Sequence, residues 1–138
     1  MLRLPALLLA CVTMTLTVGA ADKPADKALA KPIGTWTREI SGHTLTWTFN
    51  EDNSFKLKVN LSDGNDAEVE GNYGVTKDGT LFAIMTKAKT SIEGGPEKGD
   101  LFSFSFKVSG KELTLGDAAG TKINDQARGL VEGTYAKK

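Results

Sequence analysis

The sequence predicts an all-β protein: an antiparallel, up-and-down barrel of about eight strands, lying behind an N-terminal export signal. Three observations predict it. Apolar residues recur with a period of two through most of the chain from Ile33 onward, which is the period of a strand with one buried face. Clusters of glycine, asparagine, aspartate and serine separate these runs at intervals of roughly a dozen residues, as the turns of a barrel or sandwich do. Finally, the tripeptide Gly34-Thr35-Trp36 is echoed by Gly71-Asn72-Tyr73 and, near the other end, by Gly133-Thr134-Tyr135. If the first and last copies lie on antiparallel neighbours, the two ends of the chain meet and the sheet closes on itself. Trp36 and Tyr135 are then expected to meet across that seam, both facing inward.

The chain begins differently. Residues 1–20 carry one charge, Arg3, followed by an apolar run from Leu4 that ends at Val18-Gly19-Ala20. A basic start, an apolar stretch and a small residue at the end form the pattern of a signal peptide cleaved after Ala20. Thr13, Thr15 and Thr17 dilute the run below what a membrane anchor needs. The only cysteine, Cys11, closes Leu8-Leu9-Ala10-Cys11, which resembles a bacterial lipobox and offers the alternative of a lipid anchor at Cys11. On either reading the chain has no cysteine pair for a disulfide, and the domain must be held by its core alone. Residues 21–32 repeat Ala-Asp-Lys, include two prolines and show no apolar period, so they read as a flexible leader. The expected destination is the periplasm or the exterior.

Residues 33–138 form the predicted barrel domain. Leu45, Trp47 and Phe49 alternate with Thr44, Thr46 and Thr48, an apolar face against a threonine face. Glu51-Asp52-Asn53-Ser54 is turn chemistry, after which Phe55, Leu57 and Val59 alternate with Lys56, Lys58 and Asn60. Past Asp63-Gly64-Asn65-Asp66, Val69, Gly71, Tyr73 and Val75 alternate with acidic and polar residues, and the glycines suggest a sharp bend. Lys77-Asp78-Gly79 signals a hairpin into Leu81 to Met85, which is apolar on both faces, so that its period does not choose the buried side. Residues 91–100 read as a long loop. Phe102, Phe104, Phe106 and Val108 then alternate with Ser103, Ser105 and Lys107, Ser109-Gly110-Lys111 turns into Leu113 and Leu115, residues 116–126 read as a polar loop, and Val131 with Tyr135 ends the series. No helix is predicted.

About eight strands leave an interior just wide enough to be filled by side chains or to hold one small ligand. The predicted inward set runs from Trp36 through Leu45, Trp47, Phe49, Phe55, Leu57, Val59, Val69, Tyr73 and Val75 to Phe102, Phe104, Phe106, Val108, Leu113, Leu115, Val131 and Tyr135. Its aromatic members, Trp36, Trp47, Phe49, Phe55, Tyr73, Phe102, Phe104, Phe106 and Tyr135, are the candidate ligand-binding residues. The same stripe is also what a small packed core looks like.

These residues resemble a known family. Gly34-Thr35-Trp36 at the head of the first strand is similar to the Gly-x-Trp signature of lipocalins. Gly71-Asn72-Tyr73, Lys77-Asp78-Gly79-Thr80-Leu81, Gly110-Lys111-Glu112-Leu113-Thr114-Leu115 and Gly133-Thr134-Tyr135 resemble the small bacterial lipocalin-like domains. The resemblance implies an exported calycin-type barrel whose larger relatives carry small hydrophobic molecules. It further implies that Trp36 plugs the closed end against an arginine of the last strand, for which Arg128 is the nearest candidate. The chain departs from larger lipocalins in its short strands, its lack of a cysteine pair and its lack of a helix after the last strand.

Composition excludes little else. The chain has 17 basic and 17 acidic residues, without the basic excess that nucleic acid or an anionic membrane surface demands. His43, the sole histidine, lies in a Ser41-Gly42-His43 turn without the partners that a metal or haem site needs. Asp63-Gly64-Asn65-Asp66 lacks the closing glutamate of a calcium loop. Glu68 and Glu70 share a face and are spaced as an acid and base pair would be, but on an outer strand face they read as solvent-facing charges. No nucleophile sits in a recognisable motif with a base. The expectation is therefore a non-enzyme without a cofactor. It binds a small hydrophobic molecule in the barrel, or else it is a filled barrel acting as a cell-envelope interaction or inhibitor module through residues 91–100 and 116–126.

Overall fold

The period-two segments fold as strands, and each pairs with the next. In a computed structural model that describes residues 30–138, they are β1 (Gly34–Ile40), β2 (His43–Phe49), β3 (Ser54–Asn60), β4 (Asp66–Val75), β5 (Thr80–Thr90), β6 (Leu101–Ser109), β7 (Glu112–Gly120) and β8 (Gly133–Lys137). Strand order follows chain order, every pairing is antiparallel, and β8 returns to β1 to close the barrel. The predicted export signal, Cys11 and most of the predicted leader lie outside the described residues. The end of the leader does not hang free: Pro32 is fully buried, and its carbonyl accepts the Trp36 indole N–H at 2.8 Å.

Two bulges reset which residues face the core. On β5, Met85 pairs with Gly71 and Lys87 with Glu70, leaving Thr86 unpaired. Leu81, Ala83 and Met85 are therefore buried before the bulge, while Ala88 packs on the core after it, and Phe82 and Ile84 are turned outward. On β7, Gly116 pairs with Ser105 and Ala119 with Ser103, so that Asp117 and Ala118 stand opposite Phe104; Asp117 has φ of 49°. Ala118 is left without its ladder partners, and the segment that follows supplies them: Glu132 Oε2 accepts the Ala118 N–H at 2.8 Å, and Arg128 Nε donates to its carbonyl at 3.2 Å.

That segment includes a helix, α1 (Asp125–Val131), where the sequence predicts a polar loop and no helix. Seven residues are too few to show a helical period, but the capping chemistry is present. Asn124 Oδ1 accepts the Ala127 N–H, Asp125 lies in the first turn, and Arg128 lies in the last. Val131 is buried as expected, but from α1 and not from a strand. Three other members of the predicted inward set differ: Val75 and Phe106 are only partly buried, and Val108, at the lower end of β6, is 41% exposed.

The seam between β1 and β8 is short, with Trp36 opposite Lys137 and Thr37 opposite Ala136. Trp36 thus faces Lys137 and not Tyr135, contrary to the expectation from the repeat. What the repeat builds is a reciprocal arrangement. Lys137 Nζ of β8 lies over the Trp36 ring, 5.3 Å from its centre, and Arg38 of β1 lies over the Tyr135 ring at 5.9 Å. The glycine of each tripeptide makes room for the cation of the other strand. A Cβ on Gly34 would stand 2.9 Å from Lys137 Cε, and one on Gly133 would stand 2.5 Å from Arg38 Cζ; their φ angles, 130° and 142°, are open to glycine alone. Arg38 also donates to the carbonyls of Leu130, at 2.7 Å, and Glu132, and so holds the end of α1. The cation over Trp36 is therefore a lysine of the last strand, and Arg128 has a different task on α1.

Two predictions follow from this geometry. Gly133→Ala is expected to cost about 2 kcal/mol, because a residue with a Cβ is forced into a glycine-only region and Arg38 must move. The measurement is the urea midpoint at unchanged slope, and a loss below about 0.5 kcal/mol would show that the seam yields. The second concerns alkaline pH. Burial, opposed by the neighbouring Trp47 and Arg38, raises the Tyr135 hydroxyl above the ordinary tyrosine value; burial together with Asp52 and Glu51 raises that of Tyr73. Above about pH 10 the unfolded chain releases these protons first, so stability falls as pH rises. Tyr135→Phe is expected to flatten that fall, read from melting temperatures between about pH 9 and 11.

Candidate functional site

The barrel interior gathers six of the nine candidate residues into one cluster. Trp47 stacks on Phe49 with centres 5.4 Å apart and 9° between planes, and it meets Phe55, Phe102 and Phe104 at 6.0, 5.8 and 5.6 Å. Phe49 carries the contact on to Tyr73 at 5.1 Å, whose hydroxyl donates to the Asn50 carbonyl. These separations lie in the range where aromatic rings touch. Trp36 stands apart at the lower end beneath Lys137, while Tyr135, under Arg38, donates to the Val131 carbonyl at 2.7 Å. Phe106 joins no ring contact and reaches a surface hollow instead. One polar atom in the interior is left over. Trp47 Nε1 is buried near the Tyr135 hydroxyl and has no hydrogen-bond partner among the described residues.

A hollow lies on the barrel wall. It is an open groove of about 720 Å³ across β4 to β7, floored where Tyr73, Ala83 and Phe102 turn inward. Register explains its shape. Asn72, Ile84 and Leu101 stand side by side on successive strands, as do Phe82, Ser103 and Ala119 one row below. Phe82, Ile84 and Leu101 form an apolar ridge, 51%, 42% and 55% exposed, while Ser103, Ala119 and Gly120 keep the wall low beside it. The Phe82 ring lies over Gly74, where a Cβ would stand 2.7 Å from Cζ. Among the described residues no charged side chain lines this groove.

Its upper rim is built from the two predicted loops. Lys122, beyond β7, donates to the Gly95 carbonyl at 3.3 Å and pairs with Glu97 at 3.3 Å and Asp100 at 3.5 Å. Asp100, buried, accepts the Glu97 N–H, and Leu101 N–H is taken by Thr121 Oγ1. Residues 91–100 and 121–122 are therefore joined next to Leu101. The Ser91-side residue Ile92 packs on the core.

The remaining polar candidates are structural. His43 Nδ1 accepts the Ser62 N–H and ties two turns together. Asp63 caps its own turn, and the Asn65 N–H it accepts lowers its pKa. Glu70 and Glu68 face outward, each 3.9 Å from a lysine, Lys56 and Lys58, with Lys87 and Lys89 in register on the other side. Among the described residues no group of three histidine, cysteine, aspartate or glutamate side chains is placed to hold a metal ion.

The sequence analysis does not single out Phe82, Ile84 and Leu101. A signal was present: Leu81 to Met85 is apolar on both faces, and a strand with one face in the core has no need of the second.

A scan against protein-family models, a search of curated proteins and a search of solved structures each find no match to this chain.

Wall and interior are expected to respond differently to substitution. Phe104→Ala removes a fully packed ring and is expected to cost about 3 to 5 kcal/mol. Phe82→Ser, at an exposed position, is expected to change stability by no more than about 0.5 kcal/mol in either direction. Denaturant unfolding of both variants measures the contrast, and equal costs would contradict it.

Proposed function

We propose that this chain is an exported, lipocalin-like binding module that takes an apolar ligand on its outer wall, with its interior acting as a filled scaffold. The observation that carries the reading is the contiguous ridge of Phe82, Ile84 and Leu101 beside a groove of about 720 Å³, on a barrel whose inward rings pack against one another. Large apolar side chains gathered into one exposed patch mark interaction sites far more often than scattered ones do. Covering a few hundred Å² at about 25 cal/mol per Å² contributes several kcal/mol before the cost of association, enough for reversible binding. The export signal in residues 1–20 supports a role outside the cytoplasm, in the periplasm or beyond, with a lipid anchor at Cys11 as the alternative form.

A second reading, a carrier holding its molecule inside the barrel, has one observation in its favour. Trp47 Nε1 is a buried donor that a ligand acceptor atom would satisfy.

Titration of the purified protein with the fluorescent apolar probe N-phenyl-1-naphthylamine separates the two. Saturable binding is expected to weaken at least tenfold in the Phe82→Ser, Leu101→Ser double variant and to survive in Phe104→Leu. The reverse pattern, in folded variants, would assign the ligand to the interior, and absence of saturable binding in all of them would remove both readings.

A further inference from the structure

At the lower end of the same wall lies a second hollow, of about 330 Å³, whose lining differs in kind. Lys31, Lys77 and Lys107 converge on it, together with Thr76, Phe106 and Val108. Among the described residues no carboxylate lines it, and none of these three lysines forms an ion pair. Lys31 leans toward the β2–β3 turn, donating to the backbone carbonyl of Glu51 at 3.1 Å, and its charge there acts on Asp52, so Lys77 and Lys107 are the two lysines of the hollow with no acid drawn to them. The nearest acid along the chain, Asp78, is turned into its own hairpin, where it accepts the Thr76 hydroxyl.

The two hollows lie on the same strands. Gly79 and Phe106 line the lower one, and Phe82 and Ser103 line the upper. Three residues separate them on each strand, roughly 10 Å at the rise of an extended chain. Between them stands the register pair Thr80 and Ser105, two small hydroxyl side chains that leave the wall low. The wall is therefore apolar above and cationic below, with a passable step between. Charge at the upper rim has the opposite sign, since Glu97 and Asp100 share the single Lys122.

We infer that the occupant of this wall is a single-chain anionic amphiphile, with its alkyl tail along Leu101, Ile84 and Phe82 and its acidic headgroup among Lys31, Lys77 and Lys107. The inference rests on the groove reading proposed above. Three features of the wall select this chemistry. Among the described residues the groove has no charged lining, so the part of the ligand lying in it is uncharged, and the lysines beside it that carry no ion pair are at the lower end, since Lys122 at the upper rim is taken by Glu97 and Asp100. The strands beneath the groove are continuously paired from Asn72 through Ile84 to Leu101 and from Phe82 through Ser103 to Ala119. A peptide laid there would find no free ladder groups for its own N–H and C=O, whereas an alkyl chain has none to satisfy. Finally, three half-exposed side chains fall well short of the roughly 800 Å² per partner that a stable pair of proteins buries, which disfavours a second copy of this chain.

The test is displacement of N-phenyl-1-naphthylamine from the purified protein at low ionic strength by three ligands with the same tail: dodecanoate, dodecylamine and the uncharged dodecyl maltoside, each below its micelle concentration. Dodecanoate is expected to compete about tenfold better than dodecylamine, an advantage of the size that a few exposed charge pairs supply and that added salt erodes. Lys77→Glu with Lys107→Glu is expected to reverse that order while leaving the melting temperature and dodecyl maltoside competition unchanged. Equal competition by all three ligands, insensitive to the charge reversal, would overturn the headgroup assignment and leave the apolar groove standing. Competition only by an extended apolar peptide, or a concentration-dependent dimer dissolved by the probe, would replace the amphiphile by a protein partner and overturn the inference. Failure of the probe itself to bind would remove the groove reading and the inference with it.

Discussion

Closure of the barrel depends on the exchange of two cations across one seam. β8 is five residues long and shares only two register pairs with β1, so its ladder hydrogen bonds are few. Lys137 over Trp36 and Arg38 over Tyr135 add a contact at each end of that seam, and Gly34 and Gly133 exist to admit them. The first and last copies of the Gly-x-aromatic repeat are thus two halves of one fastening. Arg38 extends it beyond the sheet by gripping the last carbonyls of α1, where the helix presents its negative end. The helix in turn supplies Arg128 and Glu132 to the bulge at Ala118. Seam, helix and bulge therefore form one connected set of polar contacts, and none of them has a replacement in a disulfide.

A barrel closed this way must also be filled. With an interior bounded by eight strands and no covalent cross-link available in the described domain, packing supplies the cohesion that offsets chain entropy. The rings around Trp47 do this, each touching at least one other. The same logic explains the hydrogen bonds of the large polar aromatics, since Trp36, Tyr73 and Tyr135 each donate to a backbone carbonyl and so bury their polar atom with a partner. Trp47 is the exception: its N–H lies beside the Tyr135 hydroxyl without a well-formed hydrogen bond.

How much of this was legible in the sequence varies with the length scale of the signal. Strand number, order and closure were legible, because a period of two is local and the repeated tripeptide marks both ends of the seam. The facing of Leu81 to Met85 was not, because it depends on a bulge at Thr86 created by pairing with Gly71 on another strand. The helix was missed because Asn124 and Asp125 announce a start but seven residues give no period. The cation over Trp36 was misassigned to Arg128 because proximity along the chain says little about register; Lys137 is two residues past Tyr135 and lands opposite Trp36 only once the strands are aligned. The groove was the least legible of all. Its ridge comes from β5 and β6 and its low ground from β7, and only the barrel brings Ile84 beside Leu101 and Ser103 beside Ala119.

The bulges bear on function as well as on fold. Without an interruption at Thr86, the buried face of β5 would continue at Lys87 and Lys89, placing lysines in the core. The bulge turns them outward into register with Glu70 and Glu68, so that a charged ladder of Lys56, Glu70 and Lys87 beside Lys58, Glu68 and Lys89 covers the wall of β3 to β5. Such a surface repels apolar ligands and stray strands alike. The apolar ridge begins where that ladder stops, at Ile84, and ends where the lysines of the lower hollow begin. One strand thus carries a charged outer face above Thr86 and an apolar outer face below it. The change of character within that strand comes from the bulge: without it the outer face would run on from Phe82 and Ile84 through Thr86 to Ala88, and Lys87 and Lys89 would point inward.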